Sequence, residues 1–305
     1  MVIDKKKDPV TLIEVGPRDG FQNIEKLIPT EEKIEIIQAL MKSGIPEMEL
    51  TSFVHPKAIP QLADAKTVVG EVIGDCEGVV KPIALVPNLR GAQNASDCGI
   101  PTISFVVSCS EAHNKANVAR TREESLKALK DIIEQCPGLK VRVDLATAFG
   151  CPYEGDVPEE EVVKMAQAAL DAGVCELVLC DTIGVANPTQ VASLSKRILE
   201  LAGDTPVALH LHDTRGLGVA NIYAGYEAGV RRFEAAAGGL GGCPFAPGAA
   251  GNAAMEDVIH LFDSMGVETN ISLEKYLSAV ELIKRYIKPD LTGRMSYVRV
   301  PCNEV

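Results

Sequence analysis

His210 and His212 stand two residues apart in the stretch Leu-His-Leu-His-Asp-Thr (209–214). If that stretch is a strand, its side chains alternate between faces and both imidazoles point the same way. Far away in the chain, Gly-Pro-Arg-Asp-Gly (16–20) carries Arg18 and Asp19 between turn-forming residues. Two imidazoles on one face, with a carboxylate from a nearby strand, make a facial ligand set with open positions. Such a set suits a six-coordinate divalent ion such as Mg2+, Mn2+ or Fe2+; zinc more often takes four ligands. A lone histidine is more commonly a satisfied core residue, but a His-x-His pair at a strand end, beside Asp213, favours ligation. Arg18 and Asp19 can also be read as a simple turn ion pair, and the flanking Gly16, Pro17 and Gly20 favour a rigid functional loop. Cys243 is either a small buried hydrophobe or a reactive thiol. Its surroundings, GGLGGCPFAPGAAGN (238–252), make burial hard to arrange and favour the thiol. His55, His113 and His260 are assigned to packing, as are the other eight cysteines.

These residues must be brought together by the elements that carry them. Short apolar runs recur at Val10–Val15, Glu47–Phe53, Lys81–Val86, Thr102–Ser108, Lys140–Ala146, Glu176–Asp181, Pro206–Asp213 and Arg231–Gly238. Between them lie helical patterns such as Thr30–Ser43 and Pro158–Ala172, each with an acidic first turn, apolar spacing of three and four, and a glycine stop. Alternating strands and helices imply parallel pairing through right-handed crossovers. Eight units, with runs too apolar for a half-exposed sheet, predict a (β/α)8 barrel. No GxGxxG follows the first strand, against an open dinucleotide-binding sheet. The expected organisation is one domain over 1–305: a barrel over about 10–266, a Gly-rich active-site loop after the eighth strand, a C-terminal helical extension over about 267–290, and a loose tail over 291–305. In such a barrel the site lies at the C-terminal strand ends. There the sequence places Asp19, Glu49, Arg142 with Asp144, Asp181 and the two histidines.

Composition narrows the chemistry. A net charge of -12 excludes phosphate-backbone binding, which needs clustered Lys and Arg. No Trp and only 4% aromatics leave no stacking platform for single strands. Nine cysteines, an odd number without a CxxC pair, read as free thiols rather than a disulfide framework. The opening MVIDKKKDPV has no apolar signal core, and no run approaches a membrane span. The expectation is a cytoplasmic protein with no nucleic-acid or membrane partner, and with pairing of two barrels into a dimer.

The stretches EVGPRDG (14–20), TSFVHPKAIP (51–60), GCPYEG (150–155), HLHDT (210–214) and GLGGCPFAPGAAGN (239–252) resemble the 3-hydroxy-3-methylglutaryl-CoA lyase family. That family sits within a superfamily of metal-dependent lyases and Claisen-type enzymes, and the resemblance runs from about Val10 to about Ile287. It implies that Asp19, His210 and His212 hold a divalent cation, Mg2+ or Mn2+, with Asn252 a further ligand or the partner of one. It also implies catalytic roles for Asp19 and His210. Arg18 would stabilise an enolate, Glu49 would support Arg18, and Cys243 would be a catalytic thiol. Gln22, Asp144, Arg142 and Asp181 would support the site or touch substrate. The implied reaction is cleavage of an acyl-CoA, 3-hydroxy-3-methylglutaryl-CoA, to acetyl-CoA and acetoacetate. The same chemistry on another 3-hydroxy-acid thioester, or a Claisen-type acyl transfer, is the alternative. The chain departs from the family pattern at Phe21, Ile24 and Glu25, at Asp144, where an aromatic is common, and at Cys180, where a glycine is usual. Those changes bear on substrate fit.

Overall fold

Each run is four to seven residues whose side chains, charged ones included, are mostly buried on both faces, which a covered parallel sheet provides. The protein is described by a computed structural model over residues 7–242 and 251–298. The strands are β1 (Thr11–Glu14), β2 (Glu47–Ser52), β3 (Lys81–Leu85), β4 (Thr102–Ser108), β5 (Lys140–Ala146), β6 (Glu176–Asp181), β7 (Val207–Leu211) and β8 (Arg232–Ala235). They follow one another around a closed ring. Its seam is the parallel pair β1–β8, running from Thr11 opposite Arg232 to Glu14 opposite Ala235.

The helices are α1 (Thr30–Met41), α2 (Ala65–Cys76), α3 (Leu89–Asp97), α4 (Glu111–Val118), α5 (Arg122–Gln135), α6 (Glu159–Ala172), α7 (Pro188–Ala202), α8 (Gly218–Glu227), α9 (Met255–Ser264) and α10 (Leu273–Tyr286). Their starts follow local chemistry. Thr121 with Glu124, and Asn187 with Gln190, form reciprocal capping boxes at α5 and α7. The glycine stop of α6, Gly173, takes φ of 91°, a conformation a side chain would strain.

Inside the ring the lower layers are ionic. Arg232 bridges Glu47 at 2.6 Å and Glu176 at 2.5 Å. One layer higher the fully buried Arg142 reaches Glu176 at 3.3 Å and contacts Glu234. Each cation is answered by two carboxylates, with Glu176 shared between them, so both charges are compensated within the barrel.

Residues 291–298, expected as part of a loose tail, instead pack on the barrel. Leu291 is buried, and the backbone N–H of Thr292 donates to Gly238 O at 3.1 Å. Asp257 accepts from the N–H groups of Arg294 and Met295. Among the described residues, no helix is long and apolar enough to cross a membrane.

Candidate metal centre and active site

The turn after β1 is built around one carbonyl. Val15 O accepts from the N–H groups of Arg18 at 3.2 Å, Asp19 at 2.7 Å and Gly20 at 3.4 Å, which curls Gly16–Gly20 over the barrel mouth. Gly16 has no room for a side chain, since a Cβ there would lie 2.5 Å from Glu14 Oε1. The turn leaves Arg18 and Asp19 buried and side by side. Arg18 donates through Nε to Glu49 Oε2 and through Nη1 to Asp19 Oδ1, both at 2.5 Å. Burial opposes its charge, but Glu49 and Asp19 outweigh that and hold the guanidinium above its ordinary range.

Asp19 is also fixed from two other directions. Gln22 Nε2 donates to Oδ1 at 2.7 Å, and Asn252 Nδ2 donates to Oδ2 at 2.6 Å. Burial raises its carboxyl, yet Arg18 and the two histidines win and bring it to about 2. Asn252 is held in turn by an antiparallel bridge to His212, just past the end of β7. The same short bridge therefore sets a histidine and the partner of Asp19.

His210 and His212 leave β7 on one face, and their Nε2 atoms lie 3.2 Å apart. His210 Nδ1 meets Glu234 Oε2 at 2.8 Å. Burial disfavours the charge on Glu234, but Arg142 and then His210 hold it at about 2, so it remains an acceptor. It therefore keeps a proton on His210 Nδ1 and directs Nε2 inward. Burial, then His210, push His212 down to about 4, leaving that imidazole neutral.

The donor set is thus one carboxylate and two imidazole nitrogens, with one atom from each residue within 4.8 Å of the others. Two imidazole Nε2 atoms 3.2 Å apart beside a carboxylate supply the nitrogen and oxygen donors that a divalent cation requires. Among the described residues this is the single group of three or more such side chains that fits an ion.

A cavity of about 290 Å³ opens over this set. Its wall includes Arg18, Asp19, Gln22, Asp144, His210 and His212. Glu49 and Asn252 stand behind it as buried supports of Arg18 and Asp19. Two expected site residues lie elsewhere. Arg142 shares a strand face with Asp144 but is two residues, about 6.6 Å, deeper. It belongs to the ionic layer under the cavity and not to a substrate surface. Asp181 accepts from the N–H groups of Val185 and Ala186 and so shapes the loop after β6 without reaching the cavity. Cys243 lies outside the described residues.

The wall also holds residues outside the expected site set, of which Cys180 stands out in the sequence only as a departure from the family pattern. His113, assigned to packing, lines the cavity from α4, with Nδ1 at 2.6 Å from Ser108 Oγ. Cys180 lines it too, and Glu234 joins it from β8. His55 and His260, also assigned to packing, are exposed. Cys175 is exposed as well.

A closed parallel barrel with a carboxylate and a His-x-His pair at its C-terminal mouth defines a (β/α)8 enzyme with a candidate divalent-metal centre. The HMGL-like family model matches residues 9–283, and the chain belongs to that family. It is 45% identical over 287 residues to the hydroxymethylglutaryl-CoA lyase YngG of Bacillus subtilis, covering 93% of this chain and 95% of that protein. It is 40% identical over 300 residues to the (R)-citramalyl-CoA lyase of Chloroflexus aurantiacus, covering 94% and 95%. Among solved structures, an HMG-CoA lyase from Acinetobacter baumannii in complex with coenzyme A and 3-methylmalate superposes with a TM-score of 0.90. The identity is 36%, and the match covers 99% of this chain and 98% of that one.

Proposed function

We propose that this carbon–carbon lyase cleaves 3-hydroxy-3-methylglutaryl-CoA to acetyl-CoA and acetoacetate at a Mg2+ or Mn2+ ion held by Asp19, His210 and His212. The observation that carries the reading is the convergence of those three donors within 4.8 Å, with Arg18 2.5 Å from Asp19. The relatives named above supply the substrate class, an acyl-CoA. When bound, the cation acidifies the tertiary hydroxyl of the substrate and fixes its orientation.

The remaining work falls to side chains. Asp19, held ionised, takes the hydroxyl proton directly or through one water. The bond between the second and third carbons then breaks. Its electron pair passes to the thioester as an enolate, while the third carbon becomes the ketone of acetoacetate. Arg18 faces that enolate with a permanent charge, and Glu49 and Asp19 keep the guanidinium from swinging away. A proton delivered to the second carbon completes acetyl-CoA. Cys243 is the residue the family resemblance assigns to that step. Asn252 supports Asp19 as a hydrogen-bond donor. With this reading go a cytoplasmic location and a pair of barrels.

The second reading is cleavage of (R)-citramalyl-CoA, favoured by the 40% identical relative. Acetyl-CoA release from both thioesters, with and without Mn2+, tests the proposal. Metal-dependent turnover of the methylglutaryl substrate is expected. Turnover confined to the citramalyl thioester would replace the first reading by the second, and turnover of neither would end both.

A further inference from the structure

Three carboxyl groups line the cavity: Asp19, Asp144 and Glu234. Two are committed. Asp19 accepts from Arg18, Gln22 and Asn252, and Glu234 is bound to His210 and Arg142. Asp144 is different. It is 6% exposed, and its hydrogen bond is a long one, 3.4 Å from Ser104 Oγ. Among the described residues it has no ion-pair partner. A carboxyl at that depth costs free energy unless something bonds to it.

Its neighbours leave space for that something. Val106 lies opposite it on β4, Ala146 follows it on β5, and Cys180 faces the cavity from β6. All three line the same cavity as Asp144, and none of them carries a charge to pair with its carboxyl. On the lyase reading, the thioester oxygen belongs at Arg18, and the hydroxyl and carboxylate belong at the Asp19–His210–His212 set. The group left over for the wall of β4 to β6 is the substituent on the third carbon. A bare methyl there would leave Asp144 desolvated with only the long contact from Ser104. A second carboxylate would meet the negative charge of Glu234 as well. A hydroxyl satisfies Asp144 in either protonation state, donating to an ionised oxygen or accepting from a protonated one.

We propose that Asp144 is a specificity-determining residue, resting on the lyase reading: it hydrogen-bonds a hydroxyl on the third-carbon substituent of the acyl group. The preferred substrate is then a 3-hydroxyacyl-CoA bearing a hydroxymethyl or longer hydroxylated group at that carbon in place of methyl.

The test compares kcat/KM of the Mn2+-loaded protein for 3-hydroxy-3-methylglutaryl-CoA and for its 3-hydroxymethyl analogue. The wild-type protein should favour the hydroxymethyl thioester by about 10–100-fold, the discrimination that an unpaired buried polar group produces. Asp144→Ala should erase or reverse that preference by improving the methyl substrate relative to the other. Asp144→Asn, nearly isosteric, should keep part of the preference, and it carries the comparison if the alanine variant unfolds. Equal or better turnover of the methyl substrate by wild type overturns the inference while leaving the lyase reading intact. So does an equal effect of both substitutions on the two substrates. Cleavage of neither thioester by the folded, metal-loaded protein overturns the lyase reading and the inference with it.

Discussion

Replacing Glu234 with Gln should weaken the metal centre without dismantling it. Glu234 Oε2 lies 2.8 Å from His210 Nδ1, and Arg142 holds the carboxyl ionised. That charge keeps the proton on Nδ1 and makes His210 Nε2 the inward-facing donor. Glutamine preserves the shape and one acceptor oxygen but removes the charge, so the imidazole becomes a poorer base and its tautomer is less firmly set. Loss of such a partner typically lowers metal affinity about 10–100-fold, equivalent to about 1.4–2.8 kcal/mol. Isothermal titration of Glu234→Gln with Mn2+ reads this directly, with thermal unfolding of the metal-free protein confirming that the barrel is intact. Arg142 keeps Glu176 at 3.3 Å, so the metal-free variant should stay folded with a lowered Tm. A Kd within twofold of wild type would refute the idea that Glu234 sets the donor character of His210.

Arg18→Met should lower kcat by about 10²–10³ or more, because it removes the charge facing the developing enolate; KM should move far less, and steady-state kinetics with Mn2+ separates the two. Glu256 offers a pH test of stability. Burial lifts its carboxyl from 4.5 to about 7 against the backbone hydrogen bonds that lower it. The folded protein therefore holds the proton more tightly than the unfolded chain, so this contribution is complete below pH 4.5 and is lost as pH rises through about 7. Glu256→Gln should thus gain stability relative to wild type between pH 5 and 8, by up to about 3 kcal/mol. Urea unfolding at both pH values checks it, and a constant difference would contradict the assignment.

The architecture was legible because parallel barrel strands are buried on both faces, so short runs rich in Val, Ile and Leu recur between helical patterns. Asp19, His210 and His212 could be found as well, since period-two alternation places a His-x-His pair on one face whatever the rest of the fold does. Depth was harder to read. Arg142 and Asp144 have the same alternation, and only the layering of the barrel separates an ionic support from a cavity wall. His113 enters the cavity from the first turn of α4, capped by Ser110, where nothing local distinguishes it from a packed helix residue. Glu234 looked like one acid in an apolar strand, because its partners Arg142 and His210 lie 92 and 24 residues away in sequence. Residues 291–298 read as a tail because they have no periodicity. Their attachment is to backbone groups of Gly238 and to Asp257, which no sequence pattern announces.

Pulsed electron paramagnetic resonance of the Mn2+-loaded protein probes the ligand set most directly. The ion should couple to two imidazole nitrogens, reduced to one in His212→Ala. A spectrum without nitrogen coupling, or one unchanged by that substitution, would place the ion elsewhere and contradict the proposed centre.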